Sequence, residues 1–392
     1  MGSVSSSEPD RAPVGPSPLL GRPGTVPVPT PAPDDPTATQ ERPAPTPDTG
    51  LAWHYGDPLG EQRAAQRGPV LLDRWTAGHL TVTGPDRLSW LHTLCSQQLA
   101  DLADGAATEA LWLSPQGHIE HWADLVELDG TVHLRTEPGA AEPLREFLES
   151  MRFWSKVQVT DDTGQFAALS VTGVDADRAI AETLRVTVPP AGHAAAVTGG
   201  PAAGGLLRAH PDRVDVLVPR SGFAAVATAL IAAGAVPAGT WAADALRIAA
   251  RRPRFGVDND ARTIPNETPW LATAVHLHKG CYRGQETVAR VDNLGQPPRR
   301  LAVLHLDGSA DSFPVTGDPV LSGNGRTVGR VGTVAQHWED GPIALALVKR
   351  TVQPGVPLLA GGVDAALDPD DAVADARPFS VDRGAFQDFR RR

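Results

Sequence analysis

The chain has 392 residues, of which 41% are hydrophobic, and its formal net charge is -11 at pH 7. This length allows two or three domains with hydrophobic cores and excludes a peptide, a fibre or a small disulfide scaffold. Because 46 acidic residues outnumber 35 basic ones, nothing in the overall charge favours binding to nucleic acid phosphates. We therefore expect no direct nucleic acid partner.

The N-terminal residues lack a basic start followed by an apolar run, so no secretory signal is expected. The most apolar window, residues 222–239, is mostly alanine and is interrupted by Gly234 and Pro237, which favours a soluble helix over a membrane span. Cys95 and Cys281 are too few for a disulfide framework, a cluster held by four thiolates or a closed zinc site. These features predict a cytoplasmic protein with no membrane contact and no metal site of its own.

Residues 1–50 contain 13 of the 37 prolines and almost no aromatic or long aliphatic side chains, which predicts a disordered tail. Residues 363–392 mix Ala, Asp and Gly before an Arg-terminated end, and we expect a weakly ordered tail there as well. Between the tails, the pattern predicts a first α+β domain over 51–160, a second over 161–296 and a small β-barrel over 297–362.

In the first domain, the hydrophobic periodicity predicts strand 80–83, a helix from residue 85, strands 110–113, 119–127 and 132–135, helix 142–151 and strand 157–160. The first helix carries one apolar stripe that continues to residue 102, formed by Leu88, Leu91, Cys95, Leu99 and Leu102. Cys95 is therefore interpreted as a small buried hydrophobic residue.

The second domain repeats this texture, with strand 166–171, helix 175–184, strands 206–209 and 214–218 and an alanine-rich helix. A duplicated α+β module explains both segments. After residue 298 the pattern changes to short apolar runs broken by Gly and Pro, which predict barrel strands at 301–306, 319–321, 327–334 and 343–348.

The segment 276–291, HLHKGCYRGQETVARV, carries the densest group of chemically distinctive residues. Cys281 is flanked by Lys279 and Arg283, and nearby cations favour the thiolate form of a cysteine. Gly280 and Gly284 permit a tight backbone and close approach of another group. Two hypotheses remain open from the residues alone: a reactive thiol, or a half-buried structural cysteine beside two surface charges.

His276 and His278 lie just before this cysteine. A metal site built from these histidines and the thiol lacks the remaining ligands, so it is disfavoured. His278 is instead a candidate base for the thiol.

The octapeptide at 279–286 closely resembles the signature of the YgfZ family of folate-binding proteins. Its motif positions are Lys279, Gly280, Cys281, Tyr282, Arg283, Gly284, Gln285 and Glu286. Segments 80–86, 90–102 and 246–253, together with 264–265, resemble the same family and its relative, the glycine cleavage T protein, an aminomethyltransferase. The resemblance implies two ferredoxin-like α+β domains and a terminal β-barrel, arranged as a cloverleaf around a central folate pocket.

The resemblance also implies a function. Family members bind tetrahydrofolate, or a one-carbon derivative of it, and help to assemble, maintain or repair iron-sulfur proteins. Cys281 occupies the position of the signature cysteine and is expected to act chemically or in contact with a partner. The expected partners are therefore folate and iron-sulfur client proteins.

The resemblance and the residue chemistry together suggest a set of folate-binding candidates, which are Trp75, Trp241, His121, Arg247, Glu286 and Arg290. Trp75 follows the opening strand of the first domain, and Trp241 precedes the motif at a spacing that is off by about two residues from the family pattern. Tryptophans are also common core residues, and arginines near helix ends are often solvated, so structural roles remain the alternatives.

Aminomethyl transfer by the T protein needs a carboxylate beside the folate nitrogen. The corresponding turn here carries His121 and Trp122 where the acids would lie. An imidazole, with a reference pKa of about 6.5, is much less anionic than a carboxylate, and strand alternation predicts that Glu120 points away from the face of His121. A folate-dependent one-carbon transferase is thus the alternative function, and a scaffold that binds iron-sulfur clients without folate is a third.

Overall fold

The computed structural model describes residues 14–29, 47–294, 296–310 and 312–371. It begins with strands β1 (Val26–Pro27) and β2 (Ala52–His54), helix α1 (Pro58–Ala64) and strand β3 (Pro69–Arg74). The next elements are β4 (Gly78–Thr83), α2 (Arg87–Leu94), β5 (Ala107–Leu113), β6 (Ile119–Leu128), β7 (Thr131–Thr136), α3 (Ala141–Ser150) and β8 (Gln158–Asp161).

The second half of the chain continues with β9 (Phe166–Gly173), α4 (Ala176–Leu184), β10 (Ala194–Val197), β11 (Gly205–Ala209), β12 (Arg213–Pro219), α5 (Arg220–Ala232), β13 (Val236–Ala238) and α6 (Thr240–Ala249). Two helices follow, α7 (Trp270–Thr273) and α8 (Gln285–Leu294). The last strands are β14 (Arg299–Leu306), β15 (Pro319–Ser322), β16 (Thr327–His337), β17 (Gly341–Lys349), β18 (Leu358–Ala360) and β19 (Val363–Leu367).

The first α+β unit is an antiparallel five-stranded sheet in the order β5-β6-β7-β4-β8. Its core joins the sheet to α2 and α3 through buried side chains such as Leu80, Leu91 and Leu144. Strand β7 alternates half-buried and buried residues, as expected for a strand with one covered face. Strand β6 is buried over most of its length, because its second face packs against the other sheet.

The second unit has a six-stranded sheet in the order β10-β11-β12-β9-β3-β13, in which only β13 and β3 pair in parallel. Helices α4 and α5 cover one face with apolar residues such as Ile180 and Phe223. Strand β3 lies inside the range predicted for the first domain, yet it pairs with β9 of this sheet. The chain therefore contributes to the second sheet before it forms the first.

The C-terminal unit is a closed barrel in the order β14-β17-β16-β15-β18-β19, with β19 pairing back to β14. The barrel predicted from the apolar runs is present, and the fold is a mixture of α and β structure. The predicted barrel end at residue 362 is wrong, because β19 supplies the last strand and buries Leu367 in the barrel core. Residues 372–392 of the predicted tail lie outside the described residues.

Part of the N-terminal segment is also ordered, contrary to the predicted tail. Leu19 is buried in the core of the second unit, and β1 pairs with β2. Asp48 forms a bidentate ion pair with Arg254 at 2.6 and 2.7 Å. Proline-rich composition did not indicate these contacts, because a few anchored residues suffice to order a short segment. Residues 1–13 and 30–46 of the predicted tail lie outside the described residues.

Helix α2 ends earlier than its apolar stripe predicted. The backbone becomes extended at Cys95, and the Ser96 hydroxyl then donates to the carbonyl of Ala274 at 2.6 Å. Leu99 is still fully buried in the same core, although it lies beyond the helix. Within the described residues, none of the helices combines the length and apolar character needed to cross a membrane.

Candidate functional site

Lys279 anchors the motif loop to the first α+β unit. Its buried ammonium group donates to the backbone carbonyls of His92, Cys95 and Gln97 at 2.5, 2.7 and 2.8 Å. These carbonyls lie at and just beyond the end of α2, where helix carbonyls lack intrahelical partners and where a cation is favourable. Burial lowers the pKa of Lys279. The ammonium group thus serves the helix end, in a role different from the predicted activation of the Cys281 thiol.

Two glycines allow the other side of the loop to approach the turn between β5 and β6. Gly284 has a φ of +82°, and a β-carbon there would lie 2.5 Å from the carbonyl oxygen of Ser114. Gly117 in the turn has a φ of +83° and faces the side chain of Thr287 on α8 in the same way. Both positions require glycine for their backbone conformation and for close approach.

The apolar motif residues complete this attachment. Tyr282 and Val288 are buried against the first sheet, next to Trp122 and Trp270. The side-chain amide of Gln285 donates to the carbonyl of Lys279 at 3.3 Å, which bridges the two ends of the loop. Most of the signature therefore attaches the loop to the first unit, while the Cys281 side chain remains in solvent.

The side chain of Cys281 is exposed, whereas Cys95 is fully buried. Burial raises the pKa of the Cys95 thiol to about 11. Among the predicted neighbours, Arg283 pairs with Glu120 at 3.4 Å and lies over the ring of Phe147. The arrangement presents one thiol to oxidants, alkylating agents or a partner protein and shields the other.

Glu120 and His121 lie at an irregularity in the first sheet. Leu113 pairs with Ile119 but Trp112 pairs with His121, so Glu120 is the extra residue of a β-bulge. A bulge interrupts strand alternation, and both side chains approach Arg283 as a result. The predicted separation of these two residues onto opposite faces is therefore wrong. Burial, followed by the charge of Arg283, lowers the pKa of His121 to about 4, so this imidazole is neutral at pH 7.

A central cavity of about 520 Å³ lies where the two sheets meet α6 and α7. Its walls include Trp122 from β6, Trp270 from α7 and Leu246 from α6. Asp48 closes part of the wall through its pair with Arg254. Pockets for small molecules commonly have volumes of about 300–1,000 Å³ and combine apolar walls with a few polar groups.

Of the predicted folate contacts, Arg247 is the one that lines this cavity. It bonds to Asp258 at 2.6 Å, to Asp244 at 2.9 Å and to Thr333 at 2.6 Å. Its guanidinium group ties α6 to the barrel. It also donates to the carbonyl of Arg252 at 2.7 Å, so the sequence-based suggestion that Arg247 pairs with glutamyl carboxylates competes with four protein partners.

The two candidate tryptophans lie outside the cavity lining. Trp75 packs edge-on against Phe223, stacks with the guanidinium of Arg220 at 4.1 Å and donates to the carbonyl of Gly15 at 2.7 Å. Trp241 stacks on Trp53 with ring centroids 4.5 Å apart and donates to Gln336 of the barrel. Both tryptophans therefore have the contacts of residues that pack elements of the fold together.

Glu286 and Arg290 are exposed on α8, outside the cavity lining. His276 and His278 are also exposed, with their ring centroids 6.4 Å apart. The structure thus separates two features that sequence reasoning had joined. One is a loop that presents Cys281, and the other is a cavity in the centre of the molecule.

Sequence reasoning did not find Arg74, Thr76 and Trp270 of the cavity wall. These residues occupy unremarkable sequence contexts, and the cavity forms only through contacts between distant segments. The available signal was that Arg74 places a charge at the end of the apolar run at residues 69–74.

A second polar cluster lies between the two sheets. Asp124, His210 and Asp215 bring potential metal ligands within 4.8 Å of one another. Asp124 pairs with Arg135 and Arg208, and Arg213 holds the pKa of Asp215 well below its usual range although burial raises it. The acidic charges are therefore balanced by arginines, and the cluster is an ion-pair network that joins the sheets.

Comparison with known proteins identifies relatives of the fold and of the sequence. The family model described as "GCVT N-terminal domain" matches residues 52–193. The glycine cleavage system aminomethyltransferase T from Bartonella henselae has a similar structure, with a TM-score of 0.72 and 18% identity over 83% of this chain and 91% of that chain. At this identity the likeness shows the fold alone.

Curated relatives share more of the sequence. A chloroplastic protein of Arabidopsis thaliana that is named as a putative transferase is 26% identical over 68% of this chain. The matched region covers 62% of that relative's length. The tRNA-modifying protein YgfZ of Vibrio vulnificus is 28% identical over 72% of this chain and 84% of its own length. An aminomethyltransferase of Rubrobacter xylanophilus is 25% identical, covering 65% of this chain and 69% of the relative. The chain is therefore similar in sequence to YgfZ proteins, and its fold is like that of the aminomethyltransferase.

Proposed function

We propose that this protein binds tetrahydrofolate, or a one-carbon derivative of it, in the central cavity and acts in the maintenance of iron-sulfur proteins through the exposed thiol of Cys281. The observation that carries the proposal is that a central cavity of about 520 Å³ is separate from the exposed motif cysteine. Such a layout suits a protein that senses or stores a small molecule inside and contacts a larger partner outside.

The cavity fits a folate in size and in chemistry. Trp122 and Trp270 supply aromatic walls for a flat pterin ring, and polar side chains from both sheets supply hydrogen bonds. When bound, the folate would supply one-carbon or redox chemistry. The protein's own residues would hold the ring, exclude water and fix its orientation.

The loop at residues 279–284 supports a role for Cys281 in partner contact. Lys279 and Gln285 fix the loop from within, and Gly284 lets it sit close to the first sheet. A thiol fixed on a rigid loop is presented at less entropic cost than one on a mobile segment. The proposed partners are iron-sulfur client proteins. A cytoplasmic location without membrane or nucleic acid contact belongs to the same proposal, and the net charge of -11 supports the last point.

The alternative is a folate-dependent aminomethyl or other one-carbon transferase. The similarity of fold to an aminomethyltransferase favours it. A neutral His121 and the buried Trp122 at the position aligned with the acids argue against it, because neither supplies the negative charge that stabilises an incoming iminium group. Asp124 follows Trp122 by two residues, but its carboxylate forms ion pairs with Arg135 and Arg208.

Two measurements test the proposal. Calorimetric titration with tetrahydrofolate is expected to give saturable binding at one site, and the absence of binding would defeat the folate part. The purified protein is then incubated with an aminomethyl-loaded lipoyl carrier and tetrahydrofolate. We expect no steady production of methylene-tetrahydrofolate, and steady turnover would favour the transferase instead.

A further inference from the structure

The arginines that line the central cavity differ in whether they have a carboxylate partner. Six arginines and four acidic residues form part of the wall, and the arginines are Arg74, Arg135, Arg213, Arg247, Arg252 and Arg254. Five of these arginines have a carboxylate partner within 4.0 Å in the described residues. Arg74 is the exception.

Arg74 ends strand β3 and lines the cavity, and its side chain has no hydrogen bond or ion pair in the described part of the chain. Burial, together with the neighbouring Arg254 guanidinium, lowers the pKa of Arg74. Among the described residues, no carboxylate lies within ion-pair distance of this guanidinium group, and the more distant charges of Glu137 and Asp215 offset only part of its desolvation penalty. A cation of this kind is expected where a ligand supplies the missing negative charge.

The unpaired polar atoms of the wall favour the same type of ligand. Buried atoms without a hydrogen-bond partner occur at Thr76 Oγ1, Trp122 Nε1 and Arg252 Nε. Indole and guanidinium nitrogens are donors only, and a hydroxyl group can donate. The wall therefore offers a surplus of donors, and the complementary ligand is rich in acceptor oxygens.

We propose that Arg74 is the anion-binding group of the cavity and receives a carboxylate of the bound ligand. This inference rests on the proposed function in one respect, which is that the carboxylate belongs to the glutamyl part of a folate. A carboxylate can accept two parallel hydrogen bonds from a guanidinium, which gives orientation as well as affinity. The pterin ring would then lie toward the aromatic wall formed by Trp122 and Trp270.

The test compares ligands that carry or lack the glutamyl group. Calorimetric titrations use tetrahydrofolate, p-aminobenzoylglutamate, a tetrahydropterin without the glutamyl tail, and inorganic phosphate as a free anion. The proteins are the wild type, Arg74→Gln, Arg74→Lys and the surface control Arg178→Gln, whose side chain is 66% exposed. We expect Arg74→Gln to weaken tetrahydrofolate and p-aminobenzoylglutamate at least tenfold, the order of one lost charged hydrogen-bonded pair. Tetrahydropterin affinity should change less than twofold.

The outcomes separate this inference from the proposed function. Tetrahydrofolate binding that Arg74→Gln leaves unchanged would overturn the role of Arg74 and leave the folate proposal standing. Phosphate binding that depends on Arg74, with no binding of any folate, would support the anion site and defeat the folate proposal. Equal losses for tetrahydrofolate and tetrahydropterin would indicate a general effect on the cavity and would overturn the inference.

A stability measurement distinguishes a binding role from a structural one. In the ligand-free protein, Arg74→Gln should raise the melting temperature or leave it unchanged, because it removes a desolvated charge that has no ion-pair partner. Arg254→Gln is the matched variant, and it should lower the melting temperature because it leaves Asp48 and Glu137 without their partner. A large loss of stability in Arg74→Gln would contradict the proposal. Arg74→Lys keeps the charge without the paired hydrogen bonds of a guanidinium, so it should restore part of the carboxylate binding that Arg74→Gln loses.

Discussion

The α-carbon of Gly117 lies 2.9 Å from the position that a β-carbon would occupy on Gly284. The two glycines belong to segments separated by more than 160 residues, and each has a positive φ. The motif loop therefore meets the first sheet through backbone atoms. This backbone contact therefore fixes the distance of α8 and Cys281 from the first sheet.

We predict that Gly284→Ala destabilises the protein by about 2 kcal/mol, because it combines backbone strain with a clash. Gly280→Ala is the matched control in the same loop, since no other atom lies within 4 Å of its added β-carbon. The free energy of unfolding in urea measures both. Equal stability of the two variants would contradict the close packing described for Gly284.

The anchoring role of Lys279 gives a second prediction. Lys279→Met should lower the free energy of unfolding by about 2–3 kcal/mol, because it leaves three carbonyls at the end of α2 without their donor. The control is Lys349→Met, since Lys349 is exposed and donates to one carbonyl, that of Thr327. Faster hydrogen exchange confined to the end of α2 would locate the effect. A wild-type exchange pattern in Lys279→Met would refute the anchor.

The two cysteines should react at very different rates. Iodoacetamide is expected to modify Cys281 in the native protein and to spare Cys95, which is buried and has a pKa raised to about 11. Mass spectrometry of tryptic peptides measures both sites in one sample. Modification of Cys95 at a comparable rate before unfolding would show that the core of the first unit opens readily.

Cysteine substitutions separate function from stability. Cys281→Ala should melt close to the wild type yet fail to restore iron-sulfur enzyme activity in cells that lack the native gene. Cys95→Ala should lose about 1–2 kcal/mol of stability through a small cavity and keep its activity where it folds. Full restoration by Cys281→Ala would leave the thiol without a chemical role.

Acid should destabilise the protein through His79. This residue is buried, and burial followed by the charges of His133 and Arg135 lowers its pKa to about 3. The unfolded chain takes up the proton near pH 6.5, so the contribution of His79 to stability is complete above that pH and declines as the pH falls toward 3. Urea unfolding at pH 7.5, 6.0 and 5.0 should show a smaller decline for His79→Gln than for the wild type. The exposed His193→Gln should follow the wild type, and identical slopes in all three would remove His79 as the cause.

Local patterns predicted much of the fold. The strand expected at 166–171 is Phe166–Gly173, and the helix expected at 142–151 is Ala141–Ser150. Both are set by apolar spacing within a few residues. Strand β3 was not predicted, and its partner β9 begins about 100 residues later. Periodicity gives no information on such pairing.

The site was less predictable for the same reason. The motif singled out Cys281 but left open whether its thiol is half-buried, and the cavity depends on distant pairs such as Asp48 with Arg254, which are 206 residues apart. The bulge at Glu120 interrupts the alternation of side chains along β6, and alternation alone cannot indicate it. Lys279 was assigned to the wrong partner, because a residue two positions from a thiol in sequence can direct its charge elsewhere.

The pairing of β19 with β14 bears on how the C-terminal unit resists association with other chains. A sheet of five strands would expose the backbone donors and acceptors of β14 and β18 along two free edges, and such edges recruit strands from neighbouring molecules. Strand β19 (Val363–Leu367) pairs with both β14 and β18 and so covers both edges. A chain shortened to residue 362 would therefore be expected to form intermolecular β-sheet and precipitate, even though most of its core residues would remain.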